Sequence, residues 1–420
     1  MRVALLTYRG NPRSGGQGVY VRYLSQAMVR LGHQVTVVSG PPYPSLCPEV
    51  NLTRLPSLDL YRPEAAFHPI RQPRGAVDLL ELGTMCLGGF PEPLTFSLRA
   101  WAELRRRRHE FDVVHDNQGL GYGLLGVKRL GLPLLATVHH PVQVDLRLEL
   151  AQARTLGRRF ALRRWYGFTR MQARVARRLP RLLTVSHAAR AEIVRELGVP
   201  AARVSVVPNG VDSDLFQPAP DSERSPGRII ATASADVPIK GIDHLLRAFA
   251  HARIARDDIE LTIVGRPRAG GPIPGLLSEL GLEGSVRFVN GLADAELARL
   301  CASAEVAVVP SLYEGFSLPA AEAMACGVPV VATRVGGLPE VVGTDGEAGL
   351  LVPPGEPLAM SRAMTTLLAD ASLRRRLGER GRARVLSCFT WDAAARATVE
   401  RYQEAMQARV PPPRVRGGAL

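Results

Sequence analysis

Glu314 and Glu322 stand eight positions apart in EGFSLPAAEAMACGVPVVAT, with a Gly, a Ser and a Pro between them. An ionised carboxylate is a strong acceptor for sugar hydroxyls. Pro319 suits the first position of a helix and Gly327 its stop. This places Glu314 in a loop and Glu322 about one turn inside the helix. Gly315 lets a ligand approach the backbone, and the open amides of a helix's first turn suit a phosphate. Hydroxyl acceptors flanking an anion site match the needs of a sugar nucleotide. The plainer alternative is a solvated loop acid beside a Glu that only favours its helix terminus. The seam between two apolar runs, EVAVVPS and VPVVAT, favours the ligand.

Other residues could serve the same chemistry. A departing diphosphate needs positive charge where negative charge develops. Lys240 in VPIKGIDHLLRAF sits at a loop-to-helix start, and it is one of only two Lys in the chain, with Lys128. Near the amino terminus, SGGQG (Ser14 to Gly18) precedes a helix, so Gly15 and Gly16 could meet a phosphate or an acceptor hydroxyl. DVVHDNQGLGYG puts His115, Asp116 and Asn117 at a strand end, facing the ligand crevice of an open sheet. ATVHHP puts His139 and His140 at the next strand end, where a His either faces the ligand or packs and caps. The DxD string Asp212-Ser213-Asp214 follows PNGV and reads as turn chemistry, so no essential metal and no cofactor are expected.

These residues need elements to hold them. RVALLTY reads as a buried strand, GVYVRYLSQAMVRLGH as a helix that stops at Gly32 and QVTVVSG as a second strand; DVVH, PLLAT and RLLTVS are later strands, each followed by a helical pattern. Residues 41–95, rich in Pro, read as loops and short helices. The pattern restarts with RIIATAS and continues through IELTIVG, SVRFVNG, EVAVVPS, VPVVAT and AGLLVP. One strand and one crossover helix at a time gives a parallel α/β layout. The expected organisation is two doubly wound domains facing a cleft, 1–207 on the acceptor side and 227–390 on the nucleotide-sugar side. A linker covers 208–226, a helix over 391–408 packs back on the first domain, and a disordered tail covers 409–420.

With those motifs in place, the chain resembles glycosyltransferase family 4. PSLYEGFSLPAAEAMACGVPVVATRVGGLPEVV looks like that family's E-x7-E signature. SGGQGVYVRYL, VVPNGVD, KGIDHLLRAF, LTIVG and GLLVPPGE follow in the family's order. The resemblance implies the GT-B fold and retention of anomeric configuration, by front-side attack without a protein nucleophile. It implies that Glu322 binds the nucleotide ribose and that Glu314 lies by the donor sugar. The amides of Gly315, Phe316, Ser317 and Leu318 would meet sugar and phosphate, and Lys240 the diphosphate. Gly265, Arg266 and Asn290, at the ends of two strand-like runs, complete the donor set. The chain departs from the pattern in two places. Ser234 and Ala235 stand where relatives carry an Arg before the Lys, which leaves Arg266 to compensate. Asn117 stands where many relatives have the second His of His-x-His, so that role passes to Asn117 as a neutral hydrogen bonder or is filled from elsewhere.

Bulk properties bound the rest. A chain of 420 residues, 46% hydrophobic, is long for a single core. Its formal charge of +14 points to an anionic partner, although basic positions are almost all Arg, a bias of the whole sequence. Ten Arg and no acid fall between Arg154 and Arg181, interleaved with Phe160, Leu162, Trp165, Phe168, Met171, Val175 and Leu179. Such a basic aromatic stretch is either a solvated helix face or a contact for an anionic membrane surface. Five widely spaced Cys suggest neither disulfides nor zinc and fit a reducing cytoplasm, with a peripheral place on the inner membrane face if the basic stretch engages lipid. The expected activity is transfer of a hexose from a UDP- or GDP-linked donor to an acceptor hydroxyl, lipid- or glycan-linked. The alternatives are a sugar-nucleotide-binding protein with weak or lost turnover, an isomerase on the same architecture, and a nucleic-acid binder. The last lacks any recognition module, and no nucleic acid is expected.

Overall fold

The computed structural model describes residues 1–11, 16–60, 73–220, 224–233, 237–268 and 270–407. The chain divides into two compact units. One holds 1–184, 190–207 and the chain from Ala394 onward; the other holds Val185–Ala189 and Pro208–Ala393.

The first unit is built on seven strands: β1 Arg2–Thr7, β2 Gln34–Ser39, β3 Asn51–Arg54, β4 Val113–Asn117, β5 Leu134–Thr137, β6 Arg181–Thr184 and β7 Val204–Val206. Their order in the sheet is β3-β2-β1-β4-β5-β6-β7, every pair parallel. Parallel sheets are covered on both faces, which explains the unbroken buried runs in β1 and β2. The chain reverses direction along the sheet between β1 and β4, a topological switch point.

The second unit has six strands: β8 Arg228–Thr232, β9 Glu260–Val264, β10 Val286–Val289, β11 Val306–Val309, β12 Val330–Thr333 and β13 Gly349–Val352. Their order is β10-β9-β8-β11-β12-β13, again all parallel, with the switch point between β8 and β11. Side chains alternate across this sheet. Ile230, Ala307, Val309, Val330 and Ala332 join one buried cluster, while Ile229, Ala231, Val306, Val308 and Val331 join the cluster on the opposite face.

Three segments differ from expectation. Residues 41–95 contain edge strand β3, short and only half-buried, and the start of the 15-residue helix Glu92–Arg106. The Arg-rich stretch is two helices, Leu156–Trp165 and Phe168–Ala176, broken at Tyr166 and Gly167. The segment after Pro208 is docked: Val211 and Phe216 are buried in the second unit's core, and the Val211 amide donates to the Phe389 carbonyl at 2.8 Å. Two apolar side chains thus hold what its composition marks as a linker. The tail from residue 408 lies outside the described residues.

Candidate functional site

The site in the second unit forms at the carboxyl ends of β8 and β11, where an open α/β sheet leaves a crevice. After β8 the chain makes a one-turn 3-10 helix, Pro238–Lys240, and then enters the helix Ile242–Ala255. Gly241 joins them with φ +65°, and a Cβ there would fall 2.1 Å from the Pro310 carbonyl oxygen. Only glycine meets both demands, and this close approach brings Lys240 to the loop after β11.

There, Lys240 Nζ donates to Glu314 Oε1 at 2.6 Å, and Ser311 Oγ donates to the same oxygen at 2.9 Å. Both members of the ion pair are partly buried. Beyond Glu314 the backbone turns sharply. Ser317 caps the helix Leu318–Ala325 with φ +89°, a strained conformation for a non-glycine residue. Among the described residues, the amides of Phe316, Ser317 and Leu318 have no protein acceptor. Phe316 is buried and packs edge-on against Phe389 at 5.4 Å, which anchors the turn.

Glu322 lies in that helix, partly buried, and its carboxylate has no hydrogen-bond partner among the described residues. Burial, with a smaller push from Asp294, raises its pKa to about 7.

Supports to which the motif reading gave no role hold the loop. Gly336 and Gly337, after β12, pass so near it that a Cβ on either would overlap the carbonyl oxygen of Glu314 or Gly315. The Gly337 amide donates to the Glu314 carbonyl at 2.9 Å. Ser186 Oγ donates to the Gly315 carbonyl at 2.6 Å. Glu340 accepts from the amides of His187 and Ala188, both at 2.8 Å, and so fixes the segment that carries Ser186. A Gly pair ahead of a helix with Glu in its first turn was the available signal for Gly336, Gly337 and Glu340. Nothing local marks Ser186, which is 129 positions from its partner.

Gly265 and Arg266 follow β9, and Asn290 follows β10. The Gly265 amide donates to the Val289 carbonyl at 2.8 Å. Arg266 is exposed and has no acid partner among the described residues. Ser234 and Ala235 lie outside the described residues. The structure therefore gathers Lys240, Glu314 and the 315–318 backbone at the switch point, with Gly265, Arg266 and Asn290 at the same edge of the sheet.

In the first unit the outcome is different. His115 is completely buried inside β4, not at its rim: Nδ1 lies 2.6 Å from the Tyr402 hydroxyl and Nε2 lies 2.7 Å from Thr137 Oγ1. Both ring nitrogens are occupied, and burial lowers its pKa to about 3. His115 is therefore a positioning residue and cannot touch a ligand there, which corrects its expected role. Tyr402 comes from the C-terminal helix Trp391–Gln407, a partner no local pattern could reveal.

Asn117 ends β4. Its Nδ2 donates to the Gln17 carbonyl at 3.3 Å, and its Oδ1 accepts from His139 Nε2 at 2.8 Å. His139 is held further by its amide, donating to Gln118 Oε1 at 2.7 Å, and by the edge of Tyr20. Burial lowers its pKa to about 3, so it is neutral. His140 pairs with Asp145 at 2.9 Å and is partly exposed. Asp116 accepts from the Leu120 amide at 2.9 Å and stabilises a turn in which Gln118 and Leu120 have positive φ. Gly16 opens the helix Gly16–Arg30 with free space where a Cβ would stand; Gly15 lies outside the described residues.

Asp212 Oδ1 accepts from the amides of Asp214 and Leu215, so the DxD string is a turn. Among the described residues no cluster of His, Cys, Asp or Glu is arranged to hold a metal ion, and no helix is long and apolar enough to cross a membrane.

Known proteins resemble this chain along most of its length. Residues 14–215 match the family model "Glycosyltransferase Family 4", and residues 216–384 match "Glycosyl transferases group 1". An MMP alpha-(1->4)-mannosyltransferase of Mycolicibacterium hassiacum is 52% identical over 97% of this chain and 98% of its own. A D-inositol 3-phosphate glycosyltransferase of Streptomyces avermitilis is 30% identical over 97% of this chain and 88% of its own. Among solved structures, sucrose-phosphate synthase from Thermosynechococcus elongatus superposes with a TM-score of 0.74 at 27% identity, covering 97% of this chain and all of that one. Anabaena HepE in complex with UDP and glucose shares the fold, with a TM-score of 0.71 at 19% identity over 96% and 99% of the two chains. The chain belongs to glycosyltransferase family 4 and is a glycosyltransferase of the GT-B fold.

Proposed function

We propose that this chain is a retaining, metal-independent mannosyltransferase that moves mannose from a nucleoside diphosphate mannose to an acceptor sugar hydroxyl, making an α-(1→4) linkage. One observation carries the choice of sugar and bond: identity of 52% across nearly the whole length of both chains with a relative of that printed activity. A nucleoside diphosphate donor is supported by the site itself, and by the UDP and glucose held by a relative of the same fold.

The diphosphate sits against the open amides of Phe316, Ser317 and Leu318, with Lys240 and Arg266 on its charge. Lys240 then shifts part of its hydrogen bonding from Glu314 to the leaving phosphate, stabilising the charge that builds as the glycosidic bond breaks. Glu314, released in part, accepts from donor-sugar hydroxyls, and Glu322 accepts from the ribose. Asn117, buried and bonded at both amide atoms, orients His139, and the half-buried His139 and His140 meet the acceptor side with Gly15 and Gly16. No protein nucleophile is required; positioning and leaving-group stabilisation supply the catalysis.

Purified protein is incubated with GDP-mannose or UDP-sugars and a short mannoside, with and without EDTA, and the product is read by NMR. The expected result is an α-(1→4)-mannosyl product that EDTA does not reduce. A β-linked product, or transfer of a different sugar, overturns the reading. Donor binding without transfer or hydrolysis would favour the binding-protein alternative, which the departures at Ser234, Ala235 and Asn117 motivate.

A further inference from the structure

The Arg-rich stretch takes no part in the site above. On the helix Leu156–Trp165, Leu156, Phe160, Arg163 and Arg164 fall at i, i+4, i+7 and i+8, one face of the helix, while the buried Leu162 points the other way. That outer face is apolar as well as basic: Leu156 is 86% exposed and Phe160 is 62% exposed. Arg164 donates to the Leu87 carbonyl at 2.6 Å and lies over the Phe160 ring at 5.7 Å. It thereby joins Leu87, itself 67% exposed, to the same patch. Trp165, partly exposed, packs at a tilt against Phe90, ring centroids 5.3 Å apart, at the border.

The charge of this face is not neutralised. Among the described residues, only Arg158 and Arg181 of the ten Arg pair with a carboxylate, Glu149 and Glu404. Arg154, Arg163 and Arg170 are exposed and have no acid partner among the described residues. Exposed Leu and Phe side chains on one helix face with the unpaired Arg163, in a stretch that also carries exposed Arg154 and Arg170, are complementary to one environment, the headgroup and upper acyl region of an anionic bilayer. A polyanion in solution would satisfy the Arg and leave the apolar side chains wet. A second copy of the chain would bring the same positive charge against itself.

We infer that the face carrying Leu87, Leu156, Phe160 and Arg163 docks this protein on an anionic lipid surface, with the apolar side chains entering the acyl boundary and the Arg contacting lipid phosphates. This surface is independent of the donor assignment, and its test uses no activity.

The full chain is floated with vesicles of phosphatidylcholine alone, or with about 30% phosphatidylglycerol, at low and high salt. Flotation is expected only with the anionic vesicles, and salt should weaken it. The double variant Leu156→Ser/Phe160→Ser should lower binding by about tenfold. Arg154→Glu/Arg163→Glu should abolish binding and its salt dependence. Both pairs are solvent-exposed, and an unchanged Tm confirms that the fold is retained. Equal flotation with neutral vesicles, no flotation at all, variants that bind like the wild type, or a concentration-dependent dimer lost in Phe160→Ser would each overturn the proposal.

Discussion

Glu322 is ordinary in type and unusual in setting: an acid in a buried helix, with no hydrogen-bond donor among the described residues and a pKa raised to about 7. An exposed Glu ionises near about 4.3. Between these values the folded chain keeps a proton that the unfolded chain has lost. Stability of the ligand-free protein should therefore fall as pH rises through that window and level off above 7. Glu322→Gln should remove the slope and raise stability at pH 8 by roughly 1–2 kcal/mol, measured by denaturant unfolding. The same variant should lose the donor-induced thermal shift. In the parent, that shift should grow from pH 6 to pH 8 as the carboxylate forms. At Lys240 the expectation is kinetic. Lys240→Met should lower kcat by about 10²–10³-fold, the usual effect of removing one group that meets developing charge. A parent-like kcat would show that the leaving phosphate is stabilised elsewhere.

Elements explain both why the loop after β11 could be read in advance and why the histidine pocket could not. Helix Leu318–Ala325 announces itself through Pro319 and Gly327, residues whose backbone demands are local. Helix Ile242–Ala255 depends in the same way on Gly241, and Gly241→Ala should cost about 1–3 kcal/mol and pull Lys240 from Glu314. The loss would appear in Tm and donor affinity together. His115 is different. Its neighbours Val114 and Asp116 suggest a strand end, yet its partners arrive from 22 and 287 positions away. Tyr402→Phe should destabilise the protein by roughly 1–3 kcal/mol by leaving an imidazole nitrogen unpaired, with little change in donor affinity. An unaltered unfolding midpoint would mean that the phenol is dispensable.

At the scale of the whole chain, the alternation of apolar runs with helical patterns made both parallel sheets legible, because strands covered on two faces need continuous Val, Ile and Leu. Short edge strand β3 escaped, being half-polar, and the docked segment after Pro208 read as a linker because its composition outweighs two buried side chains. The loop after β11 was legible where glycine and proline mark it and obscure where Ser186 reaches it, and the His115 pocket was obscure because Tyr402 arrives through the fold.

The chain leaves the first unit after Thr184, returns at Arg190, leaves again after Val207 and returns for good at Ala394. Exchanging halves with a related enzyme to change its specificity is therefore no single splice. A chimera joined only at Val207 would inherit a foreign C-terminal helix, and the imidazole of β4 would face whatever side chain that donor carries in place of the Tyr402 phenol. Successful recombinants should be those that transplant the final helix along with the amino-terminal sheet it serves.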